Sequence, residues 1–518
     1  MHFWYTDAML LNLHSIYYAS EMRAKWSLGG LFLLLTAAIL GVVFVSPGLV
    51  VAVVGATTAA VFTFFRPTWS LAFLLTYLPF EPFILKWIPD ELYVYAKYGS
   101  ELLIYLLVAA TLWKLITGEL RFKRTSIDVP FAFLLFAVIA SVIVNFLPIM
   151  PAVLGVRQIL RFMFLFFVTV QLAPSKRWAR IVLMALGAVL LFQVFLGAAQ
   201  IVVGERLDTF LLPGERHTLG DIQLTAGTVQ FWDPGQRVFG TLGRYDQLGT
   251  FMAFIMLMLV AVIYERATKD KDRLWVWLVL MASLPVLALT YSRSAWFGFL
   301  LGFLFIAAFI KRDKRVIAAT MIIPTLLLSY IAITGLVVRE LVDVSDQSIT
   351  NRFFEAFSYE RWVGEYHGLG RLYWVVQTIT EVVPASPIFG HGPGMYGGGT
   401  AAALGNTQVY DELSLPFGVY GTDGYIDNNW FSLWGEVGSL GLAMYLWLYL
   451  ALFAACLRVY HKSSDAETRA LALGVCAAML AVGLNACLAT FLEVRTLAPY
   501  LWTMAGVVIA LGHKEKVL

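Results

Sequence analysis

Long apolar runs separated by short polar breaks follow one another along nearly the whole chain. Each run is close to the roughly 20 residues that an α-helix needs to cross the hydrocarbon core of a bilayer. The pattern predicts an all-α polytopic membrane protein with about 12–14 transmembrane helices and a helical external cap loop. The candidate spans are 27–46, 48–65, 69–88, 101–117, 128–147, 153–173, 178–203, 247–264, 274–291, 294–310, 315–338, 430–457, 467–491 and 495–512.

The charges in the polar breaks test the orientation of these spans. Alternate breaks are rich in lysine and arginine, and the positive-inside rule assigns such breaks to the cytoplasm. With fourteen spans, all of them fall on one side of the membrane, together with both termini. These basic residues are Arg121, Lys123, Arg124, Lys176, Arg177, Arg180, Arg266, Lys269, Lys271, Arg273, Lys311, Arg312, Lys314, Arg315, Arg458, Lys462 and Arg469.

Two long hydrophilic segments, 204–246 and 339–428, are thereby predicted to be external. Each contains four arginines and no lysine. Arginine presents a planar fork that grips phosphate or carboxylate through two hydrogen bonds, which lysine cannot do. The exclusive use of arginine therefore indicates local anion sites. The alternative is that these arginines pair with acids of the same loops, since both segments contain more Asp and Glu than Arg.

The same pattern divides the chain into four expected parts. An N-terminal transmembrane bundle covers 1–203, and 204–338 combines the first external loop with further transmembrane helices. A large external loop or cap covers 339–428, and C-terminal transmembrane helices cover 429–518. Within the cap, a short amphipathic helix is predicted over Val375–Val383, followed by a glycine-rich turn at 389–399. Such a turn either brings backbone N–H groups close to a ligand or serves as a flexible connector.

Composition supports the membrane assignment and excludes several classes of function. Hydrophobic residues make up 60% of the 518 residues and charged residues only 14%, whereas soluble domains carry about 25% charged residues. The net charge of +3 is small and the basic residues are scattered, so no nucleic-acid partner is expected. The three cysteines show neither metal-ligand spacing nor a disulfide framework, and neither a metal nor a cofactor is expected.

Three stretches on the external side combine arginine, glycine and aromatic residues in a recurring way. The first is 237–248 (RVFGTLGRYDQL), which leads into a span, and the second is 289–298 (LTYSRSAWFG). The third is dispersed over the cap and the start of the next span. It comprises Gly370, Arg371, Trp374, the run 390–394 (GHGPG), the run 427–431 (DNNWF), Glu436 and Gly438.

In this order and on this face, the three stretches resemble the O-antigen ligase/polymerase superfamily over roughly residues 235–445. The resemblance implies a multi-pass protein of the bacterial inner membrane whose active site faces the periplasm. It implies a metal-independent glycosyltransferase that uses a polyprenyl-diphosphate-linked oligosaccharide as donor. A lipid-linked glycan acceptor and membrane lipids are the further implied partners, and a chain-length regulator is a candidate partner.

The resemblance also implies roles for individual residues. Arg237 and Arg293 would stabilise the departing diphosphate, since preorganised cations are the main device available without a metal, and Asp427 would act on the acceptor hydroxyl as the third catalytic residue. Expected substrate-binding residues are Arg244, Arg371, Gly392, Asn428 and Arg161. For Arg293 the alternative is an interfacial anchor that extends to water. Arg157 and Arg161 lie inside a predicted span, where a charge is usually functional; otherwise the span begins later.

Asp427 departs from the family pattern, because the ligases have a histidine at this position. Histidine titrates near 6.5 and makes a natural base, whereas an ordinary aspartate titrates near 3.9. The departure favours a polymerase, which transfers a growing chain onto a new lipid-linked repeat unit. An O-antigen ligase acting on lipid A core and a protein O-oligosaccharyltransferase are the alternatives of the same class. Asp427 is alternatively a structural cap of the helix that starts near Asn429.

A polysaccharide flippase or transporter is the alternative from another class. Transporters usually show internal repeats and polar residues near the middle of the membrane. This sequence shows no clear repeat, and its polar residues are concentrated in the two external segments. The distribution favours an enzyme.

Overall fold

The computed structural model describes residues 47–214, 218–219, 222–223, 236–267, 270–333 and 348–518. The predicted span 27–46 lies outside the described residues, as do central parts of both external segments.

Helices account for most of the described chain. In chain order they are α1 (Pro47–Phe65), α2 (Pro67–Tyr77), α3 (Glu81–Lys86), α4 (Asp90–Ile116), α5 (Asp128–Val144), α6 (Ile149–Leu160), α7 (Met163–Leu172), α8 (Lys176–Val203), α9 (Glu205–Leu211), α10 (Tyr245–Glu265), α11 (Asp270–Leu289), α12 (Arg293–Leu304), α13 (Lys314–Ile333), α14 (Ile349–Glu355), α15 (Tyr359–His367), α16 (Arg371–Gln377), α17 (Val383–Ala385), α18 (Gly399–Leu404), α19 (Gln408–Glu412), α20 (Asn429–Lys462), α21 (Ala466–Asn485) and α22 (Ala498–Lys514).

Shorter elements connect some of these helices. Three 3-10 turns cover Leu78–Phe80, Gly240–Leu242 and Val419–Gly421, and two π-helical turns cover Phe305–Ile310 and Thr378–Val382. The strands Thr218–Leu219 and Ile222–Gln223 pair in an antiparallel manner.

The helical membrane architecture is confirmed. Eight helical stretches of the described chain are long and apolar enough to cross a membrane, or nine if the bent pair α6–α7, with 51° between its halves, counts as one span. Helices α5 and α11 are apolar but shorter. The most apolar window of α10 is 83% buried by protein, against 17% for that of α1, so α10 lies at the centre of the bundle and α1 at its edge.

Helix α20 is broken near its N-terminal end, at Gly438, where φ is +68°. Residues 387–392 lie along the break and bond to the freed backbone groups: Ser439 N–H donates to the carbonyl of Pro387 (2.9 Å), and Gly392 N–H donates to that of Glu436 (2.8 Å). A Cβ at Gly390 would be 2.5 Å from the backbone nitrogen of Gly438, so the two glycines allow this approach. Because a membrane interior offers no water to unpaired backbone groups, the loop completes this helix.

The cap has a small core of its own. Trp374, Tyr396 and Tyr410 are almost fully buried and contact one another edge to face or at a tilt, with Thr378 Oγ1 2.7 Å from Tyr396 Oη. The amphipathic helix expected at Val375–Val383 begins earlier, at Arg371, and continues through a π-turn into α17. Pro384 directly follows the π-turn and Val383, and the helix ends one residue after it, at Ala385, as expected for a residue that cannot continue a helix.

Candidate functional site

Two glutamine side chains of α8 accept hydrogen bonds from the backbone of the turn that precedes α10. Gln200 Oε1 accepts from the N–H groups of Phe239 (3.3 Å) and Gly240 (2.8 Å), and Gln193 Oε1 accepts from Thr241 N–H (3.1 Å). Gly240 and Gly243 both have positive φ, +56° and +79°, which explains the two glycines of the first motif. Arg237 and Arg244 therefore flank a turn whose backbone is held by these hydrogen bonds.

Those two arginines have different surroundings. The Arg237 side chain is buried, and its guanidinium carbon lies 4.8 Å from the centre of the Tyr245 ring. Arg244 forms two bonds to Asp246, from Nε to Oδ1 (3.0 Å) and from Nη2 to Oδ2 (3.3 Å). The Asp246 carboxylate raises the pKa of Arg244 above its ordinary value despite the opposing effect of burial, and Asp427 adds to the rise.

Arg293 is the first residue of α12. Its Nη1 lies 3.0 Å from Glu355 Oε1 of the cap helix α14. The Glu355 side chain is fully buried and also pairs with Arg352 (2.9 Å) and Arg361 (3.3 Å). One carboxylate thus joins the second motif to the cap through three arginines, which contradicts a role for Arg293 solely as a water-facing anchor.

Arg371 and Asp427 form the next ion pair, with Nη2 3.0 Å from Oδ2. Both side chains keep about a third of their surface exposed, at 39% and 34%. Arg371 N–H also donates to Glu365 Oε2 (3.0 Å), and Glu365 pairs with Arg361. Burial lowers the pKa of Arg371, but the carboxylates of Asp427 and Glu365 outweigh it and hold the pKa above its ordinary value.

These ion pairs, together with the bond from the Arg371 backbone N–H to Glu365, form one continuous charge network, which we call the external charge network because the sequence predicts this side to be external. It runs along Arg293, Glu355, Arg361, Glu365, Arg371 and Asp427, with Arg352 as a branch. The sequence motifs contain Arg293, Arg371 and Asp427 but not Glu355 or Glu365. The only signal for these glutamates was the excess of acids over arginines in 339–428.

Asn428, and not Asp427, caps α20. Its Oδ1 accepts from Phe431 N–H (3.2 Å), and its Nδ2 donates to the carbonyl of Cys487 (3.0 Å). The expectation that Asp427 is the cap is therefore wrong by one residue. Asp427 has a left-handed backbone, with φ +51°, and pairs with Arg371 instead. Asn428, expected to bind substrate, has a structural role through both side-chain atoms.

Gly392, the other non-arginine expected in the binding site, is occupied in the loop that completes α20. Its N–H donates to Glu436, its φ is +110°, and a Cβ there would be 2.5 Å from Leu147 Cδ1. The glycine-rich run is thus closely packed and is not a flexible connector. Close packing against the bundle explains its composition.

Arg161 lies at the break between α6 and α7, buried in the bundle. Its Nη2 donates to the carbonyl of Glu493 (2.7 Å), and its Nη1 lies 3.4 Å from Glu101 Oε2. Arg157, one turn earlier, binds the same Glu101 through two hydrogen bonds. Arg157 lies inside α6, which begins at Ile149, and Arg161 directly follows its last residue, so the helix does not begin later than either arginine.

The chemistry of the described side chains is that of a cationic site. Among the residues described, no group of three or more His, Cys, Asp or Glu side chains could hold a metal ion. Arginine guanidinium groups, which lie here at the N-terminal ends of α10 and α12 and near that of α20, are suited to phosphate oxygens.

Comparison with known proteins gives one match. Residues 277–446, about a third of the chain, match the family model described as O-Antigen ligase. No curated protein matches the chain. The matched stretch contains the Arg293 motif, the whole external charge network and the break of α20, and it ends eight residues after Gly438. Residues 277–446 therefore match an O-antigen ligase domain, which supports the resemblance of the chain to the O-antigen ligase/polymerase superfamily.

Proposed function

We propose that this protein is a polymerase of lipid-linked polysaccharide repeat units, working on the outer face of the bacterial inner membrane. The donor is an oligosaccharide on a polyprenyl diphosphate, and the acceptor is a sugar hydroxyl of another lipid-linked unit. The observation that carries the proposal is the external charge network, which joins Arg293 of the second motif to Asp427 of the third. The network lies at the N-terminal ends of α12 and α20, and this position supports a site for the diphosphate of a membrane-anchored lipid.

In the proposed reaction, the glycan passes from the diphosphate of the donor to the acceptor hydroxyl. The acceptor oxygen attacks the anomeric carbon, the carbon–oxygen bond to the diphosphate breaks, and its electron pair leaves on the diphosphate. Arg237 and Arg293, with Arg244 and Arg371, stabilise that charge as it develops. The hydroxyl proton passes to the Asp427 carboxylate and from there to water. No metal or cofactor enters this balance.

Asp427 suits the role because of how it is held. Its carboxylate is partly exposed and oriented by Arg371, so it is able to accept a hydrogen bond from a sugar hydroxyl. The replacement of a histidine by this ion-paired aspartate supports a polymerase over a ligase.

Product analysis tests the function directly. The purified protein in lipid nanodiscs is incubated with a lipid-diphosphate repeat unit, and the products are separated by length. A ladder of longer lipid-linked chains, with release of polyprenyl diphosphate, is expected. Transfer only to added lipid A core would make the protein a ligase, and transfer only to a peptide would make it a protein O-oligosaccharyltransferase. Movement of the intact substrate across the bilayer without a new bond would make it a transporter.

A further inference from the structure

A second group of cations lies outside the external charge network, within the bundle. It consists of Lys97 and Arg495 together with Arg157 and Arg161. Lys97 follows the external start of α4 at Asp90 by seven residues, which places it about 10 Å along the helix. We call these four residues the inner cation cluster.

Two carboxylates serve this cluster. Glu101 pairs with Arg157, with Arg161 (3.4 Å) and with Arg495 (3.6 Å). Glu81 lies 3.3 Å from Arg495 Nη1 and accepts a hydrogen bond from Ser100 Oγ (2.5 Å). Four cations against two carboxylates leave a formal charge of +2.

Two positively charged positions in the cluster lack an anionic or hydrogen-bonding partner among the described residues. No described carboxylate lies within ion-pair distance of the Lys97 ammonium, whose backbone carbonyl alone is used, by Arg495 Nη1 (2.7 Å). Arg161 Nε is buried without a hydrogen-bond partner among the described residues. An unpaired charge at membrane depth is costly and marks a ligand site more often than a structural one.

We infer that the inner cation cluster binds the diphosphate of a second polyprenyl-linked molecule, the acceptor, while the external charge network holds the donor. This inference rests on the proposed polymerase function, because a ligase or a protein O-oligosaccharyltransferase needs only one such lipid. A diphosphate esterified at both ends carries two negative charges, which matches the +2 of the cluster. The position below the external mouth suits a lipid phosphate whose chain lies in the bilayer.

Glu493 adds to the charge balance of this region. Its backbone carbonyl accepts from Arg161, and its Oε1 accepts from Asn429 Nδ2 (2.9 Å). Burial raises the pKa of Glu493 to about 7 against the opposing effects of Gly399 N–H and Arg161. The Glu493 carboxyl is therefore only partly ionised at neutral pH. Most of the +2 charge of the inner cation cluster remains to be balanced by the ligand.

Binding stoichiometry tests the site. Sugar-free polyprenyl diphosphate is added to the protein in phosphatidylcholine nanodiscs and counted by native mass spectrometry. Two molecules per chain are expected for the wild type and one for Lys97→Met, with Lys97→Arg restoring two. One molecule for the wild type, or two for Lys97→Met, would overturn the inference. Loss of the second molecule when phosphatidylglycerol is added would show a site for phospholipid headgroups and would overturn it as well.

Kinetics separate this inference from the proposed function. The acceptor is presented either as a lipid diphosphate or as a free oligosaccharide with a blocked reducing end. Lys97→Met should raise KM about tenfold or more for the lipid-linked acceptor only, with the donor KM unchanged. An equal rise for the donor would contradict the assignment. Two bound diphosphates without any glycan transfer would support the second lipid site and contradict the polymerase function. Polymerisation with only one bound diphosphate would support the polymerase function and contradict the second site.

Discussion

Arg371 reaches across 56 residues of sequence to Asp427, with Nη2 3.0 Å from Oδ2. The pair joins the first turn of cap helix α16 to the residue that precedes the cap of α20. The pair orients the Asp427 carboxylate, while the neighbouring residue Asn428 caps α20. A substitution at Asp427 therefore changes the oriented carboxylate without removing the N-terminal cap of α20, which makes Asp427 a favourable target for mutation.

Asp427→Asn should be nearly inactive while the protein folds normally. Asparagine keeps the size of the side chain and tolerates the left-handed backbone at φ +51°, but it cannot take up the hydroxyl proton. General-base assistance is typically worth about 10²–10⁴ in rate, so kcat should fall by that factor. Asn428→Ala is the matched control: loss of the cap should lower stability by about 1 kcal/mol with a much smaller loss of kcat. Near-normal turnover of Asp427→Asn would remove its catalytic role.

Arg293→Lys and Arg352→Lys separate phosphate binding from docking of the cap. Both arginines pair with Glu355, at 3.0 and 2.9 Å, so lysine at either position should lower the melting temperature to a similar, small extent. Only Arg293 belongs to the second motif, at the N-terminal end of α12. We therefore expect a loss of activity of about 100-fold or more for Arg293→Lys, as for removal of one oxyanion donor, and a few-fold loss for Arg352→Lys. Equal losses would make Arg293 a docking residue.

Arg237→Lys tests the first motif in the same way. Lysine keeps the positive charge over the Tyr245 ring but loses the planar fork. Activity measured on purified protein at equal amounts should fall strongly. Wild-type rates for both Arg237→Lys and Arg293→Lys would contradict a phosphate clamp.

Stability should depend on pH through Glu493. Its pKa is raised from 4.5 to about 7, chiefly by burial, so the folded state binds this proton more tightly than the unfolded state does. The resulting stabilisation is complete below about pH 4.5 and is lost as the pH rises through about 7. Glu493→Gln, which is neutral at every pH, should therefore melt increasingly above the wild type between pH 5 and 8. A constant difference in melting temperature would show that Glu493 is not a buried acid with a raised pKa.

The predicted topology is open to chemical labelling. In a Cys487→Ser background, which removes the exposed native thiol, a cysteine at the exposed Thr407 of the cap should react with a membrane-impermeant reagent in intact spheroplasts. A cysteine at the exposed Lys462, at the other end of α20, should react only after lysis. The opposite pattern would invert the assigned orientation.

The sequence predicts the helical membrane fold and the motif arginines because both are local patterns. Apolar runs of spanning length reveal helices, and the motifs contain Arg237, Arg293 and Arg371 within a few residues of their glycines. The partners of those arginines are not local. Glu355 lies outside every motif, and the ion pair of Arg495 with Glu81 spans 414 residues, so neither follows from spacing. The sequence alone does not distinguish Asp427 from Asn428 as the N-terminal capping residue of α20, because aspartate and asparagine cap helices about equally well.

The joint between Gly390 and Gly438 constrains how substrates arrive. Residues 387–392 supply the carbonyl and amide partners of α20 at its break, and at that depth no water replaces them. The cap therefore cannot hinge outward as a whole without leaving backbone groups of a membrane helix unpaired. Entry from above by opening the cap is accordingly costly, whereas a gap between helices at the bilayer edge leaves the joint intact. For the proposed lipid-anchored donor, sideways diffusion within the bilayer is therefore the route that keeps this joint intact.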